Sequence, residues 1–587
     1  HLFNPFIILY SLIENSSDMN SNGLHFNGQD SLVQPLLTDF YQVTMAYAHW
    51  VNKKTESHAV FDLYFRKNPF HGEYTIFAGL EDCLRFVENF RFSSSDLDYI
   101  RQVLPNAECG FFEYLSSLDC KEVKIEALPE GSVVFPKVPL MIISGPIGIC
   151  QLLETTLLNL VNYASLVATN ASRFRMAAGD DMQLLEFGLR RAQGPNGGLS
   201  ASKYCYIGGF DGTSNMLAGK LYGIPVRGTQ AHSFISSFSN DNDLNVRNLV
   251  VDGKEIDLYE LSTTKLTWLM DSINWGVSRS EVSQGELASF VAYAIAFPNT
   301  FLALIDTYDV LRSGVINFLA VALALHDIGY HALGVRIDSG DLSYLSKEIR
   351  ERFHRVAHTD PSLSFVISLT IVASNDINEE TIISLNEQRH EINSYGVGTH
   401  LVTCQKQPAL GCVYKLVAID GAPKIKLSQD VSKITIPCKK MCFRVYGKSG
   451  SPILDLLTIR GDEDFSEYDN DNEGEKITLQ GGGRQVEKYD NSILCRHPFE
   501  EGRRCLISKE TCKIVRLHKV YWENGEYKEK LASLIQIREH VKEELSKLRA
   551  DHKRYLNPTP YKVSVSSILF DFLHEQWLRN APIAHLE

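Results

Sequence analysis

Residues 300–341, TFLALIDTYDVLRSGVINFLAVALALHDIGYHALGVRIDSGD, decide the fold. Two short apolar runs each close on polar residues, with a helical segment between them. The first closes on Asp306 and Asp309; the second closes on Arg336, Asp338, Ser339, Gly340 and Asp341. The same texture recurs in LLEFG at 184–188 and FVISLTIVASND at 365–376. Continuous apolar strands alternating with helices mark a parallel sheet covered on both faces, hence an α/β protein. In such sheets the chemistry gathers at the carboxyl ends of the strands, where this chain places its charged and hydroxyl residues.

Working outward, residues 151–179 (QLLETTLLNLVNYASLVATNASRFRMAAG) are apolar nearly all round and read as a long buried helix. Before it, LLTDFYQVTMAYAHW at 36–50 has helical spacing with Thr38 as its expected N-cap. AVFDLYFRKNPF at 59–70 alternates like a strand, YTIFAGLEDCLRFVENF at 74–90 reads as helix, and EGSVVFPKVPLMIISGP at 130–146 reads as strands broken by Pro and Gly. Residues 236–280 read as polar and irregular, and SRSEVSQGELASFVAYAIAF after them as helix. The acidic stretch 461–475 reads as a mobile surface loop, and 527–550 as an amphipathic helix. Residues 1–30 are expected to be a disordered or artefactual extension, with Met19 a candidate start. The domain expectation is 31–150 as the first part of a second domain, 151–420 as the catalytic α/β domain, and 421–587 as the rest of the second domain.

Composition narrows the class. The 587 residues are 44% hydrophobic and 22% charged, with a net charge of −13. That balance argues against non-specific nucleic-acid binding. No stretch reads as long and apolar enough to span a membrane, and the apolar start lacks a basic region and cleavage site. Twelve scattered cysteines without a CxxC pair suit reduced thiols in the cytosol. Cys438, Cys442, Cys495, Cys505 and Cys512 fall late, but their spacing matches no standard zinc pattern. His354 and His358 lack the neighbouring Glu of a zincin helix and read as a solvated face.

The candidate site residues cluster in four segments. The glycine-rich stretch 185–235 carries Arg190, Arg191, Thr229, His232 and Ser233. Its glycines fit tight βα turns as well as a phosphate cradle. A guanidinium clamps carboxylate or phosphate. Asp306 and the DSGD carboxylates could hold Mg²⁺ or ribose hydroxyls. The turn at Gly396, Gly398 and Thr399 offers backbone donors for a monophosphate. Together these strand ends suit a substrate with two phosphate groups and a ribose.

Seven ordered motifs, LLTDFYQVTMAYAHW, FDLYFRKNPF, EFGLRRAQGPNGG, GTQAHSF, DTYD, RIDSGDL and GVGTHLVT…LGCVYKLV, resemble the animal-type nicotinate phosphoribosyltransferase family. The resemblance runs from about Leu36 past Pro437 and more loosely to the C-terminus. It implies a type II phosphoribosyltransferase fold: an irregular α/β barrel plus a second α+β domain built from N- and C-terminal segments. It also implies a homodimer with sites near the interface, nicotinate and 5-phosphoribosyl 1-diphosphate as substrates, and ATP as co-substrate with Mg²⁺. The implied products are nicotinate mononucleotide and diphosphate, the first step of NAD formation from nicotinate.

By the resemblance, Tyr41 stacks on the pyridine ring, reaching in from the partner subunit. Arg190 lies near the pyridine carboxylate, Thr229 in the nicotinate site and Ser233 beside His232, which ATP phosphorylates. Asp306 and Arg336 serve ribose and pyridine, and Gly398 and Thr399 the 5-phosphate. Glu286 and Asp306 are the candidate carboxylates to orient His232; Asp338 and Asp341 are the candidate metal ligands. Amide-selective relatives carry an acid in a Gly-Thr-Asp segment, where this chain has Gly212-Thr213-Ser214. One departure is Cys438, where the family pattern has glycine after the proline.

Three rivals remain open on the sequence. One is a nicotinamide phosphoribosyltransferase. Another is a catalytically silent barrel, disfavoured by the presence of Arg336, His232 and the glycine turn. The third is a barrel hydrolase using Asp338 and Asp341, which are too close in one loop to flank a sugar.

Overall fold

The computed structural model describes residues 32–468 and 491–581. The 1–30 extension and the later part of the acidic stretch lie outside them. Three large sheets carry the architecture. The one that positions the site is a six-stranded parallel half-barrel. Its spatial order is Leu302–Leu304, Gly334–Ile337, Thr370–Ala373, Ser394–Val397, Gln183–Glu186 and Gly212–Thr213. Every neighbouring pair in it is parallel, and Thr213 extends it by a parallel bridge to Val226. The apolar runs flagged in the sequence form its strands because their side chains are buried. The strand Ser394–Val397 is buried at all four positions.

The helix Val315–Asp327 forms much of the core behind this sheet, with Val315 through Leu325 all buried. Together with the π-helical turn Val310–Gly314 it corrects one sequence reading. Val310–Asp327 is 18 residues long and apolar enough to cross a membrane by length and composition. It is also 78% buried within the fold, with Phe318 stacked on Phe301. Core burial explains its composition.

A seven-stranded antiparallel sheet draws on both ends of the chain. His58–Phe65 pairs with Met141–Pro146 and with Cys412–Ile419, while Lys124–Ala127 pairs with Lys519–Glu523. A third, mixed sheet is built from strands between Lys440 and Ser566. Buried Arg444 joins the parts. It grips Asp455 through Nε at 2.8 Å and Nη2 at 2.9 Å, Glu544 at 3.0 Å, and the Val133 carbonyl at 2.8 Å. A bidentate, fully partnered guanidinium is the form in which a buried charge is tolerated.

Several local readings change. The first helix is Phe40–Val51 with Asp39, not Thr38, at its N-cap. The stretch 74–90 opens as the strand Thr75–Ile76 before the helix Leu80–Glu88. Residues 236–280 are not irregular: they hold the hairpin Asn248–Val251 and Lys254–Asp257 and the 15-residue helix Leu258–Ser272. In the acidic stretch, Phe465 is buried and stacks on Phe443 at 4.8 Å, which anchors its start. Cys438 takes φ of 65°, so the turn keeps the left-handed backbone that glycine adopts without strain. His354 and His358 share a helix face, and no metal-competent group of three or more His, Cys, Asp or Glu exists among the described residues.

Candidate active site

The site lies along the carboxyl ends of the half-barrel strands. Asp306 follows Leu302–Leu304, and Arg336 and Asp338 end Gly334–Ile337. Ser374 follows Thr370–Ala373, Gly398 and Thr399 follow Ser394–Val397, and Phe187 to Arg191 follow Gln183–Glu186. Ser214 follows Gly212–Thr213, its amide donating to the Glu186 carbonyl at 2.9 Å. Thr229 and His232 come just beyond Val226. Parallel strand order thus gathers residues more than 200 positions apart, as in the pair Arg191 and Thr399.

Arg336 is the hub. Its Nε donates to Ser374 Oγ at 2.8 Å, Nη1 to Thr229 Oγ1 at 3.2 Å and to the Gln230 carbonyl at 3.4 Å, and Nη2 to Asp338 Oδ1 at 3.3 Å. The guanidinium carbon stands 5.6 Å from the centre of the Phe187 ring. Glycine makes room for that ring: a Cβ at Gly396 would meet Phe187 Cδ2 and Cε2 at 2.4 Å. A Cβ at Gly188 would meet Val402 Cγ1 at 2.3 Å, so the turns after two neighbouring strands pack backbone to side chain.

His232 opens the short helix His232–Ser236. Its Nδ1 lies 3.1 Å from Thr307 Oγ1. Its Nε2 faces two carboxylates, Asp306 Oδ1 at 3.9 Å and Asp338 Oδ2 at 3.8 Å. These separations are too long for hydrogen bonds. Asp306 Oδ2 accepts from the Asp338 amide at 2.9 Å and Ser339 Oγ at 2.6 Å, while its Oδ1 is buried with no hydrogen-bond partner. An orphaned buried carboxylate oxygen is costly unless a donor or cation meets it.

The remaining sequence candidates divide. Arg190 is exposed and without a hydrogen-bond or ion-pair partner among the described residues, so its whole fork is open to an anion. Arg191 donates to Thr399 Oγ1 at 3.1 Å, tying the arginine turn to the glycine turn. Ser233 is exposed beside His232.

Three candidates sit elsewhere or are otherwise engaged. Glu286 is fully buried on the helix Gln284–Ala296, and its Oε2 accepts from Ser313 Oγ at 2.5 Å and Asn317 Nδ2 at 3.1 Å. Burial lifts its carboxyl to about 7, with the charges of Asp306 and Asp309 adding to the rise. Its hydrogen bonds therefore do not reach His232, and Asp306 and Asp338 are the carboxylates that face the imidazole. Asp341 accepts from the Tyr344 amide at 3.0 Å and caps the helix Leu342–Thr359. Tyr41 is 47% exposed on the first helix, with Glu154 and Thr155 for neighbours rather than the strand-end cluster.

Sequence reasoning passed over Phe187, Thr307 and Ser374. An aromatic directly before the Gly-Leu-Arg-Arg run was the available signal for Phe187. Thr307 sits inside the quoted DTYD. Nothing in the sequence marks Ser374.

Comparison with known proteins identifies the family. The nicotinate phosphoribosyltransferase (NAPRTase) N-terminal domain matches residues 36–162, the NAPRTase family description matches 322–465, and the C-terminal domain matches 439–573. The chain is 64% identical to the nicotinate phosphoribosyltransferase of Caenorhabditis elegans over 96% of its own length and 97% of the relative's. It is 50% identical to nicotinate phosphoribosyltransferase 1 of Arabidopsis thaliana, over 98% of this chain and 99% of that one. The crystal structure of human nicotinic acid phosphoribosyltransferase superposes with a TM-score of 0.78 at 41% identity, covering 92% of this chain and 99% of that one. With matched domains at both ends and identity this high across nearly the whole length, the chain belongs to the nicotinate phosphoribosyltransferase family.

Proposed function

We propose that this protein joins nicotinate to 5-phosphoribosyl 1-diphosphate, forming nicotinate mononucleotide and diphosphate as the entry of nicotinate into NAD. The observation that carries the reading is the Arg336 cluster: a cation fixed by Thr229, Ser374 and Asp338 above the Phe187 ring, with exposed Arg190 on the turn that Phe187 opens. A flat anionic heteroaromatic fits it. The pyridine nitrogen attacks C1 of the ribose as the C1–O bond to diphosphate breaks and C1 gains oxocarbenium character. The protein need only orient two reactants and stabilise separating charge. Arg190, exposed and without a partner among the described residues, meets the ring carboxylate or a phosphate, while the turn at Gly398 and Thr399 with Arg191 takes the 5-phosphate.

Mg²⁺ fits this arrangement. It binds through one or two carboxylates plus substrate phosphates and needs no preformed protein cage. Asp306, with its orphaned Oδ1, and Asp338 would hold it; Asp341, engaged as a helix cap, would not. When bound, the ion neutralises the departing diphosphate.

ATP use rests on His232. In the tautomer that carries its proton on Nε2, the nitrogen facing Asp306 and Asp338, the imidazole presents an Nδ1 lone pair beside Thr307. Nδ1 attacks the γ-phosphorus, the bond to the bridging oxygen breaks, and ADP leaves. Hydrolysis of the phosphohistidine then makes synthesis of the mononucleotide more favourable, coupling the transfer to ATP cleavage as a ligase does. The site is completed by a second copy of this chain. The first helix and its approach expose Leu37, Phe40, Tyr41, Met45 and Val51, an apolar face on which a dimer partner would bury Tyr41. All twelve cysteines are free, which suits the cytosol.

The test is stoichiometry. Nicotinate and 5-phosphoribosyl 1-diphosphate with Mg²⁺ should give equal amounts of nicotinate mononucleotide and diphosphate, faster with ATP. Absence of the mononucleotide under both conditions would refute the reading.

A further inference from the structure

We propose that Ser374 is a positioning residue that locks Arg336 and Asp338 together, setting the ring-binding end and the His232 end of the site at once; this rests on the function proposed above. A serine hydroxyl has one donor and two acceptor lone pairs. Ser374 donates to Asp338 Oδ1 at 2.5 Å and accepts from Arg336 Nε at 2.8 Å. Both bonds leave one atom, so the angle between guanidinium and carboxylate is fixed.

The consequence differs at the two ends. At Arg336, Nε is held by Ser374, Nη1 by Thr229 and Nη2 by Asp338, so all three corners of the fork are tied and the plane cannot turn off Phe187. At Asp338, Oδ1 takes both Ser374 and Arg336, which leaves Oδ2 turned toward His232 at 3.8 Å. Without the hydroxyl, Arg336 Nε loses its partner and Asp338 keeps only the 3.3 Å bond from Arg336 Nη2 to set the turn of its carboxylate. The local charges stay the same, so what is lost is geometry. Ser374 is half-buried at the end of Thr370–Ala373, where its amide donates to the Ile337 carbonyl at 3.1 Å. That backbone bond survives any side-chain change.

The experiment compares Ser374→Ala, Ser374→Cys and Ser374→Thr with the unaltered enzyme. Cysteine keeps nearly the size of serine but hydrogen-bonds weakly, and threonine keeps the hydroxyl. Alanine and cysteine variants should raise the nicotinate KM and the calorimetric Kd for nicotinate by about fivefold to tenfold. They should also release more phosphate from ATP per mononucleotide formed. Melting temperatures and the shape of the pH profile should stay unchanged, and threonine should restore most of the loss. The proposal is overturned if alanine changes both KM and Kd by less than about twofold. It is equally overturned if threonine is as impaired as alanine at an unchanged melting temperature. The calorimetric arm separates the two claims: a shifted Kd without turnover in any protein supports the role of Ser374 and counts against the proposed reaction.

Discussion

Replacing Arg336 by lysine keeps the charge and removes the fork. In the structure that fork makes four contacts, to Ser374, Thr229, the Gln230 carbonyl and Asp338, between 2.8 and 3.4 Å. A lysine ammonium is one point donor on a differently shaped stem and can satisfy at most two of these partners from one position. At least two charge-assisted hydrogen bonds are lost, each worth about 1.5–3 kcal/mol. Water will meet part of that loss, because the side chain is 14% exposed. A net penalty of about 3 kcal/mol is expected, or about a hundredfold in kcat/KM for nicotinate. Initial rates of mononucleotide formation, with nicotinate varied at saturating 5-phosphoribosyl 1-diphosphate, read this directly. Arg336→Lys retaining kcat/KM within about fivefold of the unaltered enzyme would refute the argument that the planar fork organises the site.

Three further outcomes are expected. His232→Ala should abolish stimulation by ATP and remove acid-labile phosphate from the protein, while slow ATP-independent synthesis persists; equal ATP stimulation in both proteins would end the phosphohistidine reading. Glu286 has a raised carboxyl pKa, about 7 when folded against 4.5 ordinarily. The folded state therefore binds its proton more tightly, and the stability this provides is complete below about 4.5 and lost as pH rises through about 7. Glu286→Gln should thus gain melting temperature relative to the unaltered protein between pH 5 and pH 8, with Glu130, also lifted to about 7, left to titrate in both; parallel melting curves across that range would contradict this. Mixing Tyr41→Ala with Arg336→Ala protein should restore part of the activity through hybrid dimers, and no recovery after demonstrated subunit exchange would mean that each site is built from one chain.

The half-barrel was legible because burial on both faces writes itself as a continuous apolar run, and LLEFG, FLALIDTYD and LGVRIDSGD each reach glycine or aspartate within two residues of the strand ends at Glu186, Leu304 and Ile337. The helix Leu258–Ser272 was not legible, because its apolar residues are interleaved with Glu260, Ser262, Thr263, Thr264, Lys265 and Thr267 and only Leu258, Ser262 and Leu269 are fully buried on it. Val310–Asp327 looked unremarkable in a run of mixed texture, yet its apolar composition is that of a helix packed on nearly every side. At the site, residue types were readable but pairings were not. Asp306 and Glu286 looked equivalent as partners for His232; the fold sends Glu286 to Ser313 and Asn317. Ser374 acquires its role only because Thr370–Ala373 lies beside Gly334–Ile337, a neighbour relation set by strand order. Cys438 shows the opposite case, where the turn keeps its left-handed backbone although the residue favouring it is absent.

The pocket's choice between acid and amide tests the central claim most directly. By the family resemblance, Ser214 stands where amide-selective relatives carry a carboxylate, and exposed Arg190 has no partner among the described residues. A buried acid beside the nicotinate anion would repel it, whereas a hydroxyl can donate to it. Steady-state rates with nicotinate, nicotinamide and quinolinate, each with 5-phosphoribosyl 1-diphosphate and ATP, should favour nicotinate over nicotinamide by at least about a hundredfold in kcat/KM. Comparable turnover of nicotinate and nicotinamide would contradict the account.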